Sequence, residues 1–222
     1  MTHGWAPSTL EWLECSRCRT ALDWRLPQGL CPKCGGVLLA RYRLEQARRS
    51  MTRAALAGRP PGLWRFAEVL PRIGEPLTLG EGATPLHHAR FLGQSIGFDR
   101  LFIKDESLNP TGSFKARGMA TALTMARDLG VRRVALPSAG NAGGAAAAYA
   151  ALAGLAVELF LPGETPEPFR LEAAAYGATV HLVDGDIADC GVRVREGVER
   201  EGWFDLSTLR EPYRLEGKKT MG

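Results

Sequence analysis

Two groups of residues in this 222-residue sequence have types and spacings that could do chemistry. The first is a set of four cysteines. Cys15 and Cys18 form one Cys-x-x-Cys pair, Cys31 and Cys34 a second, with twelve residues between them. Each such turn presents two thiolates to one cation, and two turns complete a tetrahedral zinc site. So short a module buries little core, so a metal would supply the missing stability. A redox pair, or a ribbon that no longer holds metal, is the alternative. A ribbon is also a common contact module for nucleic acid or protein, so zinc alone names no function.

The second group centres on Lys115. Asn109-Pro110 and Thr111-Gly112 make a turn, and Ser113 is a suitable N-cap that places Lys115 in the first turn of a helix. The partial positive charge of a helix start disfavours a cation and lowers an amine's pKa. A neutral lysine amine is a nucleophile suited to Schiff-base chemistry; a solvated surface lysine is the plain alternative. Further on, Ser138-Ala-Gly-Asn-Ala-Gly-Gly144 consists of small residues between a strand and a helix. Backbone N–H groups there could approach a phosphate or a carboxylate closely. The run is neither Gly-x-Gly-x-x-Gly nor a Walker loop, and a tight packing turn would use the same residues. His87 and His88 are adjacent and would face different ways, which argues against a joint metal site. His181 is expected as a core histidine in a buried strand, and Cys190 as a small core residue.

These residues need elements to position them. Leu44 to Leu56 reads as a short basic-faced helix, broken by Gly58-Arg-Pro-Pro-Gly62, and Trp64 to Leu70 as another short helix. From residue 101 strands and helices alternate. Strands are expected at 101–104, 133–136, 156–161 and 179–183. Helices are expected at 113–129 and 141–153, from 165–166 to a stop at Gly177, and at 187–201. That alternation means βαβ units and a parallel sheet, an α/β fold. Ligands then bind beyond the carboxyl ends of the strands, at loops 105–114, 137–143 and 162–166.

Composition sets the outer limits. The chain is 45% hydrophobic and 23% charged, which excludes a disordered or collagen-like protein. No apolar run reaches the roughly 18–20 residues of a membrane span. Met1 to Leu13 lacks the pattern of a secretory signal. A cytoplasmic protein without membrane association is expected. The net charge of +4 is spread along the chain, apart from a cluster at Arg41, Arg43, Arg48, Arg49 and Arg53, and is weak evidence for nucleic acid.

Taken in order, the motifs resemble a family. Asn109-Pro-Thr-Gly-Ser-Phe-Lys-Ala-Arg-Gly118 is similar to the lysine motif of fold-type-II pyridoxal-phosphate enzymes, that of threonine synthases above all. Ser138-Ala-Gly-Asn-Ala-Gly143 resembles their asparagine loop, and Gly80-Glu-Gly-Ala-Thr-Pro-Leu86 their Gly-Glu-Gly segment. Many threonine synthases also begin with a two-Cys-x-x-Cys ribbon and a Trp-Arg-Phe/Tyr segment, as in Trp64-Arg-Phe66. The resemblance implies a tryptophan-synthase-β-like fold with a zinc-ribbon-like module at 1–45. A linker and the start of a large domain would occupy 46–104, the small βαβ domain 105–205, and the return to the large domain 206–222. It implies that Lys115 holds pyridoxal phosphate and moves the Cα proton. Asn141 would contact the cofactor's 3-hydroxyl, and Phe114 would pack beside its ring. Ser138, Gly140 and Ala142 would hold the substrate carboxylate. The implied substrate is an amino-acid phosphate, O-phospho-L-homoserine, converted with water to L-threonine and phosphate. A threonine or serine dehydratase or a cysteate synthase-like enzyme is the nearest alternative; a non-catalytic zinc module is a more distant one. The family's Gly-rich phosphate loop has no counterpart after Gly144. The sequence is therefore expected to be an N-terminal portion, inactive or impaired by itself, of a protein that is a homodimer at full length. Pro137 also departs from the small polar residue usual before the serine.

Overall fold

The structure is a computed structural model that describes residues 4–222; Met1–His3, at the start of the module expected over 1–45, lie outside the described residues. The N-terminal module is a three-stranded antiparallel sheet. Its strands are β1 (Leu10–Cys15), β2 (Ala21–Leu22) and β3 (Leu38–Tyr42), in the order β2-β1-β3. Cys15 ends β1 opposite Leu38, so the strands bring the two cysteine turns to one end of the sheet.

The helix expected over 44–56 is two helices, α1 (Leu44–Ser50) and α2 (Arg53–Ala57). The break is local: the Thr52 hydroxyl accepts from the Ala55 N–H and starts a new helix. The next helix is a 3₁₀ stretch, Leu63–Val69. It buries Trp64, whose indole N–H donates to the Leu77 carbonyl at 2.9 Å.

β4 (Leu86–His88), α3 (Arg90–Ser95) and β5 (Phe102–Lys104) follow. The strand expected at 101–104 does not join the parallel sheet. It pairs antiparallel with β4, because the short α3 connection returns the chain beside the strand it has just left. Loop 105–114 is therefore not beyond a strand of the parallel sheet. His87 and His88 sit in β4; His88 stacks on Phe102 at 4.8 Å.

The α/β unit has α4 (Lys115–Asp128), β6 (Arg133–Pro137), α5 (Asn141–Ala153) and β7 (Ala156–Pro162). It continues with α6 (Glu167–Ala175), β8 (Thr179–Val183), α7 (Ile187–Glu201), β9 (Phe204–Asp205) and α8 (Arg214–Lys218). The four strands are all parallel, in the order β8-β7-β6-β9. The two-residue β9 is not among the expected strands. Strand alternation divides the core between two faces. Val134, Leu136, Val157 and Leu159 join the larger core with α4 and α5. Ala135 and Phe160 pack on the other face, against Cys190 and Val194 of α7. Cys190 is thus the core residue expected. His181 is not: β8 is an edge strand, and the His181 side chain is 41% exposed, hydrogen-bonded to Glu158 at 2.8 Å and stacked on Phe160.

α5 is buried over most of its circumference by α4, α6 and the sheet, which explains its run of alanines. α8 lies along α4 at backbone distance. A Cβ on Gly217 would stand 1.9 Å from the Arg117 carbonyl oxygen, and one on Gly118 would stand 3.0 Å from the Arg214 carbonyl. No helix among the described residues is long and apolar enough to cross a membrane.

Candidate active site and cysteine centre

Lys115 is the first residue of α4. Phe114, not Ser113, occupies the cap position, but the Ser113 hydroxyl still accepts from the Lys115 N–H at 3.3 Å. The amine folds back over the Phe114 ring, 3.6 Å from its centroid, and has no hydrogen-bond acceptor among the described residues. Its pKa lies below the ordinary lysine value, first because burial disfavours the ammonium and second because Arg214 lies near. The helix start was the expected cause; burial and a neighbouring cation come first here.

That neighbour belongs to a group that sequence reasoning misses. Arg214 and Lys218 stand a turn apart on α8; the Lys218 amine is 5.9 Å from the Phe114 ring centroid, and the Arg214 charge acts on both lysines. Lys218 too is held below its usual value by burial, Arg214 and Lys115. Arg214 is buried and its Nε has no partner among the described residues, while Nη1 donates to the Leu206 carbonyl. The fully buried Glu211 accepts from the Tyr213 and Arg214 N–H groups. Burial pushes its carboxyl up to about 7, so it neutralises this group only partly. Nothing local in the sequence ties Arg214 to a lysine 99 positions earlier. Gly118 and Gly217, two glycines inside helices, are the nearest available signal.

A buried ion pair holds the lysine turn from behind. Arg117 sends Nε and Nη2 to the two carboxylate oxygens of Glu106 at 2.6 and 2.7 Å. Burial alone would raise the Glu106 carboxyl, but Arg117, Thr84 and Asn109 bring it down to about 2. Asn109 in turn accepts from the Gly82 N–H at 2.9 Å, which ties the Gly-Glu-Gly segment to the lysine turn. Glu81 is buried and accepts from Tyr149 of α5, so the same segment also grips the second helix.

The loop before α5 is organised by Ser138. Its hydroxyl accepts from the Gly140 N–H at 3.1 Å and the Gly143 N–H at 2.9 Å, and donates to the Gly140 carbonyl. The Ser138 N–H continues the sheet to the Phe160 carbonyl. Gly140 has φ 158°, in the region open to glycine, and a Cβ there would press on the Phe169 ring at 3.3 Å. The Asn141 side chain is exposed and makes no hydrogen bond among the described residues. Ala142 sits in the first turn of α5, where helical N–H groups lack intrahelical acceptors. The turn just before Lys115 (Pro110–Gly112) packs against α5, so the lysine turn and the asparagine loop are neighbours.

In the N-terminal module the four cysteine sulfurs lie within 4.8 Å of one another, with Cys15–Cys34 at 3.5 Å and Cys18–Cys31 at 3.6 Å. Sulfurs around a tetrahedral zinc at ~2.3 Å stand about 3.8 Å apart, so the spacing fits the ion. Backbone N–H groups of Arg17 and Cys18 point at the Cys15 sulfur, and Gly36 leaves the room a Cβ would take 2.7 Å from it. Contacts from Thr20 hold the Cys18 thiol low, while Cys18 pushes the Cys34 thiol up. The cluster thus favours partial thiolate character that a dication would complete. Among the described residues no other group of three or more histidine, cysteine or acidic side chains is arranged for a metal.

An amine whose pKa burial lowers, a small-residue N–H loop beside it and a parallel sheet supporting both define a lysine-dependent cofactor enzyme. Residues 77–222 match the family of pyridoxal-phosphate dependent enzymes, and the chain belongs to that family. Within it the chain is similar to threonine synthases. It is 39% identical to that of Methanosarcina acetivorans over 86% of this chain and 47% of the relative. It is 36% identical to that of Methanocaldococcus jannaschii over 85% of this chain and 47% of the relative. The chain spans about half the length of these relatives. Among solved structures, a pyridoxal 5'-phosphate-dependent aspartate racemase aligns with a TM-score of 0.54 at 25% identity, covering 60% of this chain and 42% of the racemase.

Proposed function

We propose that this chain is the lysine-bearing portion of a lyase that converts O-phospho-L-homoserine and water to L-threonine and phosphate. Arg214 and Lys218 beside Lys115 are the observation that carries the reading. Two further cations beside Lys115, offset in part by Glu211 and Asp205, suit a substrate that brings a phosphate dianion to an amine. A threonine or serine dehydratase, whose substrate bears only a hydroxyl, has less use for them. A cysteate synthase-like enzyme is the second reading, since the geometry does not distinguish one phosphorylated amino acid from another.

Pyridoxal phosphate, when bound, supplies the electron sink. Lys115 binds the cofactor and moves the proton at the substrate Cα. Phe114 flanks the ring, and Asn141 donates to the 3-hydroxyl with an amide that has no hydrogen-bond partner among the described residues. Ser138, Gly140 and Ala142 form the carboxylate cradle, in which Ser138 shapes the loop and Ala142 offers an N–H. Cys15, Cys18, Cys31 and Cys34 hold zinc in a structural role, with no open position for substrate. The protein works in the cytoplasm as a homodimer at full length, and binds no nucleic acid.

Adding pyridoxal phosphate to the purified chain and recording its absorption spectrum tests the reading, with Lys115→Ala as control. A band of lysine-bound cofactor in the wild type and not in the variant supports it. The same lysine-bound band in both proteins would overturn the assignment of Lys115, whereas no band in either would place the cofactor's anchor outside this chain.

A further inference from the structure

The cysteine module reaches α8 through side chains that the proposed reaction does not use. Tyr42, the last residue of β3, donates its hydroxyl to Glu216 Oε2 at 2.6 Å. The same oxygen receives the Lys219 amine, which stands 4.3 Å from the Tyr42 ring centroid. Burial and the Glu216 charge keep the Tyr42 hydroxyl protonated, so it remains a donor. In the loop between the cysteine pairs, the Trp24 carbonyl accepts from the Tyr213 hydroxyl at 3.3 Å. Gly29 of that loop comes close enough that a Cβ would touch the Arg210 carbonyl at 3.4 Å.

Tyr42 and the sulfurs belong to one sheet. β3 starts at Leu38, four residues after Cys34, and Leu38 pairs with Cys15. An ion that closes the sulfur cluster therefore also fixes the strand that ends in Tyr42. On its other side α8 meets α4 backbone to backbone at Gly217 and carries Arg214 and Lys218 toward Lys115. A hydrogen bond from a buried hydroxyl to a carboxylate is short and strong, and it spans 174 residues of sequence.

We propose that Tyr42 is a positioning residue: through Glu216 it passes the placement of the metal-loaded cysteine module to α8, and so sets where Arg214 and Lys218 stand around Lys115. The functional meaning rests on the lysine-enzyme reading above; the structural linkage does not. Metal in the ribbon then shapes the substrate-phosphate region without touching it.

The test uses the full chain loaded with zinc and compares wild type with Tyr42→Phe, which removes one hydroxyl and keeps the ring. Amide hydrogen exchange in α8 is expected to quicken roughly 10-fold, with β1 and β3 amides and zinc content unchanged. The Lys115 amine, followed by NMR after ¹³C-dimethylation, is expected to titrate higher as Arg214 withdraws. Glu216→Gln, which keeps an acceptor for Tyr42, should restore much of the α8 protection that Glu216→Ala loses. Stripping zinc from the wild type with a chelator should reproduce the α8 change. Wild-type α8 exchange and an unmoved Lys115 titration in Tyr42→Phe would overturn the proposal, and that arm decides even where chelation unfolds the whole chain. Neither readout needs cofactor or turnover. A missing absorbance band therefore leaves the linkage standing, and a failed linkage leaves the assignment of Lys115 standing.

Discussion

Gly217→Ala sets two effects of opposite sign against each other. Inside a helix, alanine is favoured over glycine by about 1 kcal/mol, partly because it narrows the unfolded ensemble. Here, however, the new Cβ would fall 1.9 Å from the Arg117 carbonyl oxygen, 2.5 Å from its carbon and 2.8 Å from Thr121 Oγ1. Two of those atoms are backbone of a buried helix and cannot swing aside. α8 would have to withdraw by about 1–1.5 Å, and close-packed interiors respond to a shift of that size by losing contacts. The Thr121–Tyr213 hydrogen bond at 2.9 Å and the Arg117–Thr220 hydrogen bond at 3.0 Å both cross the interface that opens. Overpacking of ~1–3 kcal/mol and about 1 kcal/mol for each strained hydrogen bond outweigh the helix gain. The expected net loss is about 2–4 kcal/mol, or a Tm lower by roughly 5–12 °C. Urea and thermal unfolding followed by circular dichroism measure it. Gly58→Ala is the control: φ is −81° there and no atom comes nearer than 3.8 Å to an added Cβ. It should change stability by no more than about 0.5 kcal/mol. If Gly217→Ala unfolds with the control, α8 does not lie on α4 as described, and the cation group around Lys115 loses its support.

Two further predictions concern buried charge. Glu106→Gln leaves the Arg117 guanidinium, whose side chain is 2% exposed, without its counter-charge and should cost about 3 kcal/mol at neutral pH. The Glu106 carboxyl is depressed to about 2, so wild-type stability from the pair is lost as pH falls from about 4.5 to about 2; the gap between the two proteins should close over that window in urea titrations. Glu211 runs the other way. Its carboxyl is raised to about 7, so the folded chain binds more protons than the unfolded one between about pH 4.5 and 7, and stability falls as pH rises through that range. Glu211→Gln should remove that fall, worth up to about 3 kcal/mol, and a parallel pH dependence in the two proteins would show that Glu211 is not the group responsible.

How much of the fold and the site is legible in the sequence depends on how local each cause is. The helices from α4 to α7 and the strands β6 to β8 follow from apolar period and from glycines that stop helices, such as Gly154 with φ 68°. Each is decided within a dozen residues. The lysine turn and the asparagine loop are contiguous motifs, so both stand out from the residue order alone. The features that do not stand out depend on partners far away in sequence. The strand at 101–104 has the right residues for the parallel sheet, yet it pairs with β4, whose Leu86–His88 gives little strand signal of its own. β9 is strand only because β6 offers an edge to it. His181 has a core residue's neighbours in sequence, but among the described residues no strand lies beyond β8 to cover it. The cause of the Lys115 shift is hidden for the same reason: a helix start is local and visible, whereas Arg214 arrives from the far end of the chain. One trace of that arrival is nevertheless present. Gly118 and Gly217 sit inside helices, where each costs about 1 kcal/mol relative to alanine. A sequence carries that cost where another backbone must come close, and these two glycines meet at the contact that brings Arg214 and Lys218 to the lysine.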